Sequence, residues 1–467
     1  MKKKLYIVWA MVLALGAGTA QAQKQTPPEG GQPKNFNLPA KQEFELPNGL
    51  EATMVPFGQV PKVTVVMVAQ VGNVHESPQE NGLADITGQL LMEGTANRTA
   101  KQIAEDVARM GGQLYINVGR DQTTLSGSVL SEYGPDLVNL MAEVLEEPSF
   151  PEEELDRVKK DFKRSMNLAR AQPGMQAQTK FNKALYGDHP YGSGIPTDEE
   201  IDGYSLEEVK DFYQRQFGAK RTNVYVAGEF NAGAMKEAIT SALADWAEGP
   251  EPAIPVAKPI TKGEMIVVDR PGAPQSTIIF GLPVVPPSHP DYMALRVTNS
   301  LLGGSFGSRI TRNIREDKGY TYSPSSALVA RYKVGDWSEQ ADVTTEHTGN
   351  SLKEIVYEIE RLRKEPPTEE ELKGIQNYEA GLFVLRNSTP GGIIGQLNFL
   401  ELHDLPDSFL ENQVENIHAI TPEQVQQTAK KYLRPQDMTL VVVGDKKQID
   451  KQLQAFQEEL KKVPVTQ

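Results

Sequence analysis

Two stretches of this chain can be laid on one another. SLEEVKDFYQRQFGAKRTNVYVAGEF occupies 205–230, and TPEQVQQTAKKYLRPQDMTLVVVGD occupies 421–445. Each opens on a hydroxyl residue suited to cap a helix, Ser205 or Thr421. A helical pattern follows, then a short turn, then a β-rich run ending in glycine, Gly228 or Gly444. Both caps stand 23 residues before that glycine. Further out, PEEELDRVKKDF (151–162) matches TEEELKGIQNYE (368–379). Leu155 lies 73 residues before Gly228, and Leu372 lies 72 before Gly444. Two matches in one register mark the chain as a duplication.

Composition agrees with a duplicated globular protein. At about 150 residues per domain, 467 residues make two to three domains, with 39% hydrophobic and 24% charged residues. The formal net charge of -14 disfavours the phosphate backbone of nucleic acid as a partner. There is no cysteine, which excludes disulfides, thiolate metal sites and a cysteine nucleophile. Only six histidines, His75, His189, His289, His347, His403 and His418, are available for proton or metal chemistry.

The first 22 residues read as a signal peptide: a basic Met1-Lys2-Lys3-Lys4, an apolar run over 5–17, and Ala20-Gln21-Ala22 as the cleavage pattern. The alternative is an uncleaved anchor, although the apolar run is short for a span. Cleavage removes Lys2, Lys3 and Lys4 and takes the charge from -14 to -17. Export by this route, with no lipobox cysteine, implies the periplasm. A Pro- and Gly-rich stretch over 23–40 predicts a flexible arm, and 248–261, with four prolines between 248 and 259, predicts a linker. The two domains then run over 41–247 and 262–463.

Each domain reads as a strand pair, a helix, further strands, long helices and a last strand. In the first, 63–71 is a buried-strand run, and 82–92 and 100–110 are helical, the second stopped by Gly111-Gly112. Residues 114–118 and 122–129 alternate as antiparallel strands, and 137–145 and 152–168 are helical. The expected class is α+β: an antiparallel-rich sheet with helices on one face, made twice.

Several local marks now resemble the insulinase/pitrilysin family of zinc peptidases, the inverzincins. They are Pro47-Asn48-Gly49-Leu50, Asn81-Gly82-Leu83-Ala84 before Gly94-Thr95, the loop 188–192 (DHPYG), and the segments 301–305 (LLGGS) and 315–322 (REDKGYTY). The resemblance covers about 46–460 and implies a clamshell of two homologous α/β-sandwich domains. Active members carry H-x-x-E-H between the Gly-Leu-Ala and the Gly-Thr, two histidines for zinc and a glutamate to activate water. Here those five positions are Asp85-Ile86-Thr87-Gly88-Gln89. Asp85 and Gln89 are hard oxygen donors, weak for zinc, and Gly88 offers no base. The third ligand is expected near 160–165, where Asp161 is the only carboxylate. The matching helix of the second domain, 294–302 (ALRVTNSLL), holds no ligand pair either. No metal site is therefore expected in this chain, and zinc is expected in a partner subunit.

One part of the peptidase apparatus remains by resemblance. An arginine–tyrosine pair seven residues apart, Arg315 and Tyr322, matches a family pair that grips the substrate backbone and the developing oxyanion. The bland alternative is a solvated helix end capped by Gly319, with Tyr322 packed at a strand start. Tyr320 is the alternative tyrosine, five residues from Arg315. Gly303 and Gly304 match a glycine-rich segment that lines the family's chamber; the bland alternative is a helix stop. Ser305 sits in a G-x-S-x-G pattern, yet it follows a helix and not the strand a nucleophile elbow requires. The resemblance thus implies the catalytically inactive subunit of a two-subunit periplasmic zinc metallopeptidase, with no catalytic residue of its own. It would supply Arg315 and Tyr322 in trans for unfolded or short peptides. The alternative is a non-enzymatic peptide-binding or scaffold protein of the same descent.

Overall fold

Both expected caps are made. Ser205 Oγ accepts from the Glu208 amide at 3.3 Å while the Glu208 carboxylate accepts from the Ser205 amide at 2.8 Å. Thr421 and Gln424 repeat the exchange at 3.2 and 2.9 Å. These reciprocal boxes satisfy amides that a helix start leaves bare, and they begin the Leu206–Gln216 and Pro422–Tyr432 helices. Each helix then delivers the chain to a buried strand. The computed structural model describes residues 34–463. The expected signal peptide and most of the 23–40 arm lie outside the described residues.

The first sheet contains β1 (Gln42–Glu45), β2 (Glu51–Pro56), β3 (Lys62–Ala69), β4 (Leu114–Val118), β5 (Thr123–Leu130) and β6 (Thr222–Gly228), in the order β1-β2-β6-β3-β5-β4. The second contains β7 (Met265–Asp269), β8 (Gln275–Val284), β9 (Ser325–Arg331), β10 (Val334–Thr344) and β11 (Thr439–Gly444), in the order β7-β11-β8-β10-β9. In each sheet one pair is parallel, β2 with β6 and β7 with β11, and the others are antiparallel. The duplicated α+β architecture is thus present, down to strand order. Helices including Leu83–Leu91 and Gly134–Glu146 close one core, and Tyr292–Asn299, Thr348–Lys364 and Pro422–Tyr432 close the other.

The opposite face of each sheet is also covered, by a helix from the other half. Ala177, Phe181 and Leu185, on the Pro173–Tyr186 helix, pack on Ile279, Val441 and Val443 of the second sheet. Ile393, Ile394 and Leu397, on the Pro390–Leu402 helix, pack on Val55, Val68 and Ala227 of the first. Pro173 and Pro390 occupy matching positions, so the exchange is reciprocal. Polar contacts fasten the joint. Gln122 and Asn398 exchange amide hydrogen bonds at 3.1 and 2.9 Å. The Arg331 guanidinium lies 5.1 Å from the ring centroids of both Tyr186 and Tyr191 and pairs with Asp336 at 3.3 Å. Tyr186 donates to Asp336 at 2.7 Å, and Tyr191 donates to Asp121.

Residues 251–264 hold no helix or strand, and three of their carbonyls are taken by the first half. Arg221 Nε donates to Glu251 O at 3.1 Å, and His75 and His189 ring nitrogens meet Ala253 O at 3.0 Å and Pro255 O at 3.2 Å. The described part of the 23–40 segment is likewise seated and not a free arm. Phe36 meets Phe383 edge-on at 5.3 Å, burying apolar surface that a free arm would expose. No helix of the described residues is long and apolar enough to cross a membrane.

Candidate functional site

The Leu83–Leu91 helix carries the positions where the zinc motif was sought. Its start is held from below by Glu76, whose Oε1 accepts from the Gly82 amide at 3.1 Å and the Ala84 amide at 2.9 Å. Burial pushes the Glu76 carboxyl up to about 7, against the pull of those amides. Asp85 accepts from Asn73 Nδ2 at 2.7 Å. Burial raises its pKa, opposed by the Asn73 hydrogen bond and the charge of Arg120. Gly88 is jammed: a Cβ there would lie 2.4 Å from Val118 Cγ2. Asp161 is on the Glu152–Ala171 helix, largely exposed, paired with Arg157 one turn away at 3.3 Å. The helices meet through Phe162, which packs on Gly82.

This arrangement does not fit a zinc ion. Asp85 is engaged by Asn73, position 88 has no room for a base, and Asp161 faces solvent. Among the described residues, no three His, Cys, Asp or Glu side chains come together as a metal group.

The structure does bring Arg315 and Tyr322 together. Gly319, at φ +64°, ends the helical segment; its amide bonds to Arg315 O at 3.1 Å, and the Tyr320 amide to Ile314 O at 2.9 Å. Thr321 anchors the following extended residues by donating to Asp342 O at 2.7 Å. Tyr320 turns to stack on His347 at 4.3 Å, whereas the Tyr322 ring centroid lies 5.1 Å from the Arg315 guanidinium. The Phe306 ring centroid lies 4.3 Å from the same guanidinium. Cation–π contact with two rings helps hold the arginine fork in place. Tyr322 is 79% exposed and Phe306 71%, so both rings present themselves outward. The Tyr322 hydroxyl has no hydrogen-bond partner among the described residues. Phe306 was missed in the sequence, and its flanking glycines, Gly304 and Gly307, were the available signal.

Gly303 and Gly304 stand in a π turn, Ser300–Gly304, that widens the end of the Tyr292–Asn299 helix. Inside the protein, their smallness has a packing reason. A Cβ at 303 would meet Glu339 Oε2 at 2.4 Å, and one at 304 would meet Asn299 Nδ2 at 2.4 Å. Glu339 is fully buried, neither oxygen has a hydrogen-bond partner among the described residues, and burial pushes its carboxyl well above the usual range. Ser305 is buried, and its Oγ likewise has no partner, so no base stands ready to activate it.

The insulinase (peptidase family M16) model matches residues 58–199, and the peptidase M16 inactive domain model matches 203–378. Together they span more than half of the 467 residues, and this chain belongs to the insulinase (M16) family. It is 23% identical over 412 residues to a Bacillus subtilis (strain 168) relative named uncharacterized zinc protease YmxG, covering 86% of this chain and 97% of that one. It is 22% identical over 373 residues to a Helicobacter pylori relative named non-peptidase homolog YmxG, covering 78% and 85%. Among solved structures it resembles a peptidase M16 inactive domain from Pseudomonas fluorescens, with TM-score 0.79, 25% identity and coverage of 86% and 98%. A protease from Helicobacter pylori shares the fold, with TM-score 0.81, 21% identity and coverage of 87% and 100%.

Proposed function

We propose that this chain is the catalytically inactive subunit of a two-subunit zinc metallopeptidase, exported to the periplasm. It supplies Arg315 and Tyr322 in trans to a zinc-bearing family member, and the pair degrades unfolded or short peptides. The observation that carries this is the held arginine. Arg315 is held against two exposed aromatic rings, one of them a free phenol, while Asp85 is engaged by Asn73, position 88 is packed against Val118 and Asp161 faces solvent. A pre-oriented guanidinium and phenol suit the backbone carbonyls and oxyanion of a peptide bound at another chain's metal. Export rests on the basic and apolar pattern of residues 1–22.

The test is co-expression with a family member that carries H-x-x-E-H, sought first in the neighbouring gene, followed by a peptidase assay. Tyr322→Phe removes one hydroxyl and little volume. It should lower turnover of the assembled pair about a hundredfold or more, the cost of one oxyanion donor. Tyr320→Phe should change little, because that ring is stacked on His347. A second reading, a non-enzymatic peptide-binding or scaffold protein, draws support from the relative named non-peptidase homolog. Turnover unchanged within about twofold in Tyr322→Phe, with assembly intact by size exclusion, would select the scaffold; twofold is far short of the loss of one donor.

A further inference from the structure

The helix that bears the empty zinc motif has a counterpart in the second half, and the two can be placed in register by a shared hydrogen bond. Thr87 Oγ1 donates to Leu83 O at 2.8 Å, and Thr298 Oγ1 donates to Ala294 O at 2.7 Å. In that register Asp85, Gly88 and Gln89 correspond to Arg296, Asn299 and Ser300. The 151–162 and 368–379 match makes Glu379 the counterpart of Phe162. All four second-half residues line one cavity of about 380 Å³.

The floor of the cavity is a built polar cluster. Arg296 donates to Glu379 Oε2 from Nε at 3.1 Å and pairs through Nη2 at 3.0 Å. Ser300 donates to the other Glu379 oxygen. Gln413, with its carbonyl oxygen turned inward, accepts from Arg296 Nη1 at 2.7 Å. A guanidinium has five N–H donors, and these partners do not use all of them. Asn299 uses Oδ1 on Trp337 Nε1 at 2.8 Å and Ser326 Oγ at 2.7 Å, which leaves its Nδ2 beside Gly304 at the cavity. Phe399 and Phe409 form an apolar wall, and Arg386 stands exposed at the rim with no ionic or hydrogen-bond partner among the described residues. Two arginines against one glutamate give the lining a positive balance, in a chain whose net charge is -14. A concave site with an aromatic wall, a few directed amides and one unpaired guanidinium selects an anion with an apolar body.

We propose that this cavity binds an apolar carboxylate of one or two residues' size, the chemistry of a peptide C-terminus or of a free apolar amino acid. Arg386 takes the carboxylate, the Phe399–Phe409 wall takes the side chain, and Asn299 Nδ2 meets an amide carbonyl. The size matches the lower range of ligand pockets, about 300–1,000 Å³. The site is separate from the Arg315–Tyr322 pair, and the inference stands whether or not the chain works with a zinc-bearing partner.

Isothermal titration of the full chain with N-acetyl-phenylalanine, its C-terminal amide and free phenylalanine tests it. The acid should bind and the amide at least about tenfold more weakly, since the amide loses the charge-assisted pair. Arg386→Gln should weaken the acid to the level of the amide. Gly395→Phe should abolish binding, because a side chain at 395 projects from the cavity lining with nothing within 4 Å of its Cβ to strain. Both residues are exposed, so an unchanged thermal midpoint should accompany both results. Free phenylalanine binding more tightly than the acetylated form identifies an amino acid as the ligand; the reverse identifies a peptide end. Equal binding of acid and amide, no binding of either up to about 10 mM, where an affinity is too weak to select a ligand, or wild-type affinity in both variants overturns the proposal.

Discussion

The Leu83–Leu91 and Tyr292–Asn299 helices hold matching places in matching halves, yet their inward polar positions have parted. In the first half the cluster is Asn73, Glu76 and Asp85, with Phe162 sealing the neighbouring helix apolar. In the second it is Arg296, Ser300 and Glu379, a charged pair between two helices. The threonine bond and the leucine pairs Leu90-Leu91 and Leu301-Leu302 are retained in both. Packing positions are held by every neighbour at once, whereas a polar position needs only its own partners satisfied. The scaffold therefore persists while the chemistry on it changes.

The comparison is broken most severely at Glu379. Glu379→Ala leaves the half-buried Arg296 without its counter-ion and should cost up to about 3 kcal/mol, read from urea unfolding. Replacing both partners, Arg296→Met with Glu379→Leu, should restore most of that, because an apolar pair needs no desolvation. A double variant as unstable as the single one would show that the charge pair is not what holds these helices.

The first half has its own titrating pair, with opposed signs. Burial lowers His75 to about 4 from its ordinary 6.5, so stability is lost as pH falls from 6.5 towards 4. Glu76 is raised to about 7 from 4.5, so stability is lost as pH rises from 4.5 to 7. Across this window the slopes of these two groups oppose each other. Glu76→Gln keeps the acceptor for Gly82 and Ala84, removes the second slope, and should stabilise the protein at pH 8 by on the order of 3 kcal/mol. Its urea midpoint should climb between pH 4 and 6.5; a profile parallel to wild type would refute the assignment.

The smallest effect tests whether the first half still has room for its ancestral chemistry. Gly88→Ala presses on Val118, and overpacking of this kind costs about 1–3 kcal/mol. For the same reason Asp85→His, Gly88→Glu and Gln89→His together should yield no peptidase activity and a lower melting temperature. Val118→Ala added to Gly88→Ala should recover part of the loss, and a neutral Gly88→Ala would mean that the site is open.

Much of this was legible in the sequence because it is local. Capping boxes at Ser205 and Thr421, the strands ending at Gly228 and Gly444, and the Gly319 helix stop are each set by residues within a few positions. The degenerate motif was legible for the same reason. Phe306 behind Arg315 was not, since which aromatic ring a guanidinium meets depends on where a loop returns. Nor was the Arg296–Glu379 pair, whose members are 83 residues apart on helices that look unremarkable singly. Gly303 and Gly304 had the right residue type for a binding loop, and only the packed neighbours Glu339 and Asn299 reveal what the glycines accommodate.

The reciprocal loan of the Pro173–Tyr186 and Pro390–Leu402 helices has a bearing on ancestry. A single half, cut from the chain, would leave one sheet face bare and one apolar helix unseated. Two copies of such a half would cure both defects at once, each lending its helix to the other about a twofold axis. A half-length protein of this build would therefore be complete only as a swapped homodimer. Within one chain, residues 248–261 make that encounter a tethered one in place of a concentration-dependent one. In one chain the two halves can also carry different side chains, as the Leu83–Leu91 and Tyr292–Asn299 helices do, whereas in a homodimer every substitution is made twice.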